Sequence, residues 1–257
     1  MHRTSTKSHL TGWRRSAAGF SLVEIAIASV IVALLLGGLL ALTATHTATQ
    51  RVRDTEQLLA QARQALLGFA AVNGRLPCPA APGLPSGAAG AGVEQTPTAT
   101  GCTGGQIGVL PWVTLGLPEL DAWGRRFTYR VTALHARTVM MRLPTQFGCT
   151  PPPATVPTQA AFALCSPGDN EVRVASAGAS LVTGAVAVII SHGANGFGAR
   201  LPSGATMPPS PDADEAENHD TDNIAVQRVT SASFDDLVIW VPVALLAQSM
   251  LQAGRLP

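Results

Sequence analysis

The sequence predicts an α+β protein: a long N-terminal helix, first membrane-embedded and then amphipathic, laid against an antiparallel β-sheet head. Three observations carry this reading. Residues 20–42 (FSLVEIAIASVIVALLLGGLLAL) are apolar except for Ser21, Glu24 and Ser29. Apolar positions then recur in three- and four-residue steps at Val52, Leu58, Leu59, Ala62, Leu66, Phe69 and Val72. From Leu76 onward the chain turns to Gly, Pro and Ala with short β-like runs. The organisation expected is a leader over 1–19, a membrane or assembly-core helix over 20–42, its amphipathic continuation over 43–75, and a head over 76–257.

The leader carries Arg3, Lys7, Arg14 and Arg15 and no acid. As a helix, the 20–42 run spans roughly 35 Å at ~1.5 Å per residue, enough for a ~30 Å hydrocarbon core. The positive flank predicts an N-in orientation, placing everything after Thr43 outside the cytoplasm. A cleaved secretory signal has a shorter apolar core followed by a small-residue site, whereas here the small pair Ala18-Gly19 precedes the core. An uncleaved signal anchor accounts for length and charge but gives no reason for Glu24, since a carboxylate in a membrane helix is costly.

A third reading accounts for all of these features. Gly19-Phe20-Ser21-Leu22-Val23-Glu24 resembles the prepilin peptidase recognition sequence of type IV pilins and type II secretion pseudopilins. The resemblance implies cleavage between Gly19 and Phe20, N-methylation of Phe20, and a role for Glu24 in assembly, paired with the Phe20 amine of a neighbouring subunit. It implies as partners the prepilin peptidase, other pilin or pseudopilin subunits, and an inner-membrane assembly platform with its separate ATPase. The expected location is the inner membrane, single-pass with a periplasmic head, and then a periplasmic or surface filament. The function implied is a non-catalytic structural subunit, a minor pilin or minor pseudopilin. The alternative is a membrane-anchored periplasmic binding protein or enzyme.

Composition fits a structural role. Charged residues make up 13%, with 17 basic against 16 acidic side chains, which gives no electrostatic footprint for nucleic acid. The single lysine, Lys7, excludes a Lys-containing phosphate loop later in the chain, so any nucleotide hydrolysis belongs to a partner. No H-E-x-x-H or G-x-S-x-G sequence occurs, and the histidines are scattered.

The amphipathic stretch has a stop at Asn73-Gly74, reinforced by Pro77. One helix from Phe20 to Asn73 is expected, with Gly37-Gly38 as a weak point; two helices separated by a loop near 43–50 are the alternative. Strands are expected near Phe127–Leu134, Thr138–Leu143, Val172–Ala175, Ala185–Ser191, Asn223–Val229 and Leu237–Val241. A last helix is expected over Pro242–Gly254. Three head segments are similar to turns and strands of major pseudopilins: Asp121-Ala122-Trp123-Gly124, Ser191-His192-Gly193-Ala194-Asn195-Gly196, and Asp235-Asp236-Leu237-Val238-Ile239-Trp240. Greater length, four cysteines and the tail after Pro242 depart from that pattern and favour a minor subunit.

Cys78, Cys102, Cys149 and Cys165 all follow the membrane segment without a C-x-x-C pair, which in an oxidising periplasm points to two disulfides. Of three possible connectivities, sequence-adjacent pairing clamps the two loop regions, 79–106 and 144–171. Residues 212–222 hold six of the 16 acids. Read physically, such a run is a solvated, mobile loop. Major pseudopilins bind calcium in a head loop, so the resemblance makes Asp212, Asp214, Glu217, Asp220 and Asp222 candidate calcium ligands; otherwise no cofactor is expected.

Overall fold

The structure is a computed structural model that describes residues 21–139, 144–152 and 159–256, with the side chains of 36–45 left undescribed. The chain forms two compact units, Met1–Ala48 and Thr49–Pro257. Helix α1 (Leu22–Asn73) contributes to both. Helical assignment continues through Gly37-Gly38 and through 43–50, so there is no intervening loop. It stops where the sequence predicts, because Gly74 adopts φ 72° and a Cβ there would lie 2.0 Å from the Gln159 carbonyl oxygen.

In the first unit, every described apolar side chain of α1 is exposed, including Leu22, Ile25, Ile27, Val30, Ile31, Leu34 and Leu35. Among the described residues no helix is long and apolar enough to cross a membrane; the 20–42 run is described with its side chains only over 21–35.

In the second unit, Thr55, Leu59, Ala62, Leu66 and Ala70 of α1 are buried at helical spacing. Thr55 and Ala70 take the places the sequence pattern gave to Val52 and Val72, and Val72 is 69% exposed. The α1 side chains share one core with Phe127, with Tyr129, Val186, Ala187 and Ile189 of the sheet, and with Leu246 and Met250 of the last helix.

The sheet has six strands built around β4 (Ser180–Ser191), with the path β1-β2-β4-β3-β5 and β6 paired to β4 off that path. β1 (Ile107–Val109) pairs antiparallel with β2 (Thr128–Val131), and β2 with β4. β3 (Asn170–Arg173) and β6 (Leu237–Pro242) are also antiparallel to β4. One pair departs from the antiparallel expectation: β5 (Ile224–Val226) runs parallel to β3. A register shift between Ala185 and Ala187 turns both Val186 and Ala187 toward the α1 core. On the opposite face Val188 and Ile190 pack with Val172, Ala225 and Val238, so β4 is buried on both sides from residue 185 to 191.

The expected strand Phe127–Leu134 ends at Val131, where the chain turns into α3 (Ala133–Ala136) after α2 (Trp112–Leu115). Thr138 is not in a strand; its N–H donates to the Thr98 carbonyl, and residues 140–143 lie outside the described residues. The acidic segment forms α4 (Ala213–His219), and α5 (Val243–Gln252) closes the chain. Arg255 then donates to the carbonyls of Ala71 (3.0 Å) and Val72, tying the C-terminal tail to the end of α1.

Candidate functional site

Gly19 and Phe20 lie outside the described residues, so the local structure begins at Ser21. The Glu24 N–H donates to the Ser21 carbonyl at 3.0 Å and lies 3.3 Å from its hydroxyl. Ser21 therefore caps α1, and Ser21-Leu22-Val23-Glu24 has the S-x-x-E spacing of a capping box. That spacing was visible in the sequence and names a second reason for an acid at 24, beside the positive end of the helix. The Glu24 residue is exposed and is the only charge over residues 21–35.

In the head, the three segments singled out by sequence converge on one polar network. Asp121 is buried; its Oδ1 accepts from the N–H groups of Trp123 and Arg125, both at 2.9 Å, and its Oδ2 from the Ser191 hydroxyl at 2.7 Å. The Arg125 guanidinium donates to the carbonyls of Gly193 and Ala194. Asp235 Oδ2 accepts from Ala194 and Asn195 N–H, both at 2.9 Å. Gly193 permits this approach: its φ is 53°, and a Cβ would lie 2.2 Å from Asp235 Oδ1. His192 Nε2 lies 2.8 Å from the Thr128 hydroxyl, and its Nδ1 lies 3.8 Å from Asp236. These motifs thus lock a strand-entry turn, the turn after β4 and the start of β6 together.

The five acids named as calcium candidates divide into two groups. Asp212 caps α4 by accepting from Asp214 N–H at 2.9 Å, and both acids pair with Arg228, at 3.0 and 2.8 Å. The Ser233 hydroxyl is the main cause holding the Asp212 carboxyl below its ordinary range. Glu217, Asp220 and Asp222 lie elsewhere, with carboxylate oxygens within 4.8 Å of one another, beside buried Arg130, which stands 3.6 Å from Asp220 and 3.8 Å from Asp222. Burial and the neighbouring acids raise Glu217 and Asp220, while burial lowers Arg130. A second trio escaped the sequence reading: Glu215, Asp235 and Asp236 also bring carboxylate oxygens within 4.8 Å of one another. Glu215 belongs to the same acidic run, but only the fold distinguishes it by turning it inward.

Cys78 is bonded to Cys102 and Cys149 to Cys165, with no free cysteine among the described residues.

A family model described as the prokaryotic N-terminal methylation motif matches residues 14–40, the signature of the prepilin-type signals of type IV pilins and pseudopilins. The motif, with the mixed α+β head and the long N-terminal helix, supports a pilin- or pseudopilin-like subunit. No curated protein and no solved structure matches the chain.

Proposed function

We propose that this chain is a minor pilin or minor pseudopilin, a non-catalytic structural subunit of a type II secretion or type IV pilus-like filament. It is inserted in the inner membrane, cut by the prepilin peptidase after Gly19, methylated on Phe20 and drawn into the filament by an assembly platform with a separate ATPase. The observation that carries this reading is the methylation motif leading directly into an all-round apolar helix whose lone acid is Glu24. In a low-dielectric filament core, Glu24 and the Phe20 amine of a neighbour offset two charges that neither bears well alone.

Two measurements test it. Intact-mass analysis of the membrane form should give a chain starting at methylated Phe20. Because Lys7 is the only lysine, that chain should also take up a single amine-reactive label at its N-terminus. Retention of Met1–Gly19 would instead support the anchored binding protein or enzyme. Glu24→Ala should leave cleavage intact and remove the subunit from sheared filaments; normal incorporation would end the assembly role of Glu24. A deletion strain losing exoenzyme secretion identifies a secretion subunit, and one losing twitching or DNA uptake a pilus subunit.

A further inference from the structure

Among the described residues, β6 is hydrogen-bonded to β4 alone and so lies at an edge of the sheet. In an antiparallel pair, alternate residues turn their N–H and C=O groups away from the partner, so the outer edge of β6 carries free backbone donors and acceptors. Such edges are ordinarily guarded by a charge, a proline or a bulge. Between Asp236 and Pro242, β6 reads Leu-Val-Ile-Trp-Val, without a charge or a proline. A groove runs beside it. One cavity, of about 370 Å³, is lined by residues 236–239, by Glu56 and Leu59 of α1, and by residues 227–230. A second, of about 680 Å³, is lined by Val174, Leu181, Trp240 and residues 227–229. Leu59 and Ile239 belong to the α1 side of the sheet and Trp240 to the opposite face, so the two cavities flank the edge from its two sides. Val229 is 88% exposed, and Gln227 Oε1 is a buried atom with no partner. Among the described residues, the N–H groups of residues 228–230 donate to no backbone carbonyl.

We infer that the outer edge of β6 is a docking site for a single extended peptide strand supplied by a partner polypeptide. The unmet groups are backbone donors and acceptors at strand spacing, which another extended chain satisfies in register. A second copy of this head does not fit edge to edge, because α1 and residues 227–230 stand beside β6 in each copy and would meet first. A tail or loop strand has no such flanks and enters the groove. Its side chains fall alternately to the two faces of the sheet. Those on one face meet Val174, Leu181, Val229 and Trp240, which suits β-branched apolar residues. Those on the other meet Leu59 and Glu56, and Glu56 is exposed with no ion pair among the described residues, which suits a basic side chain. Gln227 Oε1, beside both cavities, gains a donor from the same strand. The site stands on the head alone and does not depend on membership of a filament.

The probe is a capped hexapeptide, acetyl-Thr-Val-Arg-Val-Thr-Val-amide, added to the full chain in lipid nanodiscs, with amide hydrogen exchange followed by mass spectrometry. At about 1 mM peptide, exchange over residues 237–241 should slow about tenfold, the factor for a ligand at about ten times its Kd, while β2 is unaffected. An analogue N-methylated at every residue, which cannot pair as a strand, should have no effect. Val229→Asp, at an exposed position, should abolish the slowing and leave the Tm of the free chain unchanged. Should that variant fold poorly, Leu181→Ser serves the same purpose. Glu56→Arg should weaken the peptide by about threefold or more. The site is refuted if 1 mM peptide leaves exchange over residues 237–241 unchanged, or if the slowing survives Val229→Asp in a folded chain. Equal slowing by the methylated analogue would mean apolar binding without strand pairing. Slowing that grows with chain concentration in the absence of peptide would mean that heads pair with each other, and either result overturns the proposal.

Discussion

His135 makes the head sensitive to acid, by an amount that can be worked out. It sits at the end of α3, fully buried, with its ring 4.6 Å from that of Phe162 and neither ring nitrogen hydrogen-bonded. Burial, assisted by Arg137, lowers its pKa from 6.5 to about 3. Above the unfolded value neither state binds this proton and the site adds no pH dependence. Below it the unfolded chain takes up a proton that the folded chain refuses, so stability falls until the folded value is reached. The cost grows by about 1.4 kcal/mol per pH unit, reaching about 2 kcal/mol at pH 5. The perturbation is His135→Leu, which removes the titration while keeping an apolar side chain beside Phe162. The assay is urea unfolding of the full chain in detergent, disulfides intact, followed by tryptophan fluorescence at pH 7.5 and pH 5. Wild type should lose about 2 kcal/mol more than the variant between the two pH values, whatever the variant costs at neutral pH. Equal losses would show that His135 is protonated or solvated in the folded head, and the reasoning would fail.

Two further substitutions probe how the head is closed. Arg255→Ala removes a cation and two carbonyl contacts from the C-terminal end of α1 and should cost about 1–2 kcal/mol in the same denaturation assay. Asp121→Ala strands two backbone N–H groups and the buried Ser191 hydroxyl, and should cost about 2–3 kcal/mol, with hydrogen exchange quickening first at residues 123–125.

What the sequence disclosed and withheld follows from the range of the interactions. Helix α1, β4, β6 and α5 were legible because their apolar runs and breakers are local. β1 was not: Ile107-Gly108-Val109 is too short to read as a strand and forms one through its register with β2. α4 was mistaken for a solvated loop because acids and flanking prolines dominate its composition. Yet Asp212-Ala213-Asp214-Glu215 has the spacing of a helix start, and Glu215 and Asn218 are buried. The three head motifs were found separately, in order along the chain. Their union through Asp121, Ser191, Arg125 and Asp235 could not be, since hydrogen bonds between residues some 40 to 70 positions apart leave no periodic trace.

A head so rich in glycine and proline is held in shape in large part by arginine. Every Lys or Arg position after Lys7 is an arginine. Most of those described in the head reach backbone carbonyls: Arg126 those of Leu84 (2.7 Å) and Pro202 (3.2 Å), Arg130 those of Ile224 and Glu217, Arg137 those of Leu134 and Gln146, Arg173 that of Ser176. Loops leave carbonyls that no strand or helix satisfies, and a buried one without a donor is costly. A planar fork with five N–H donors can meet several such groups from different loops at once, which a lysine ammonium cannot do with fixed geometry. Arg126 shows the arrangement in full: its guanidinium stacks on Trp112 at 4.8 Å, pairs with Glu119 at 2.8 Å, and gathers the segments around Leu84, Ser86 and Pro202. Loops fixed in this way place Arg125 and Asp121 against the turn after β4, and so set the position of Asp235 beside Glu215 and Asp236.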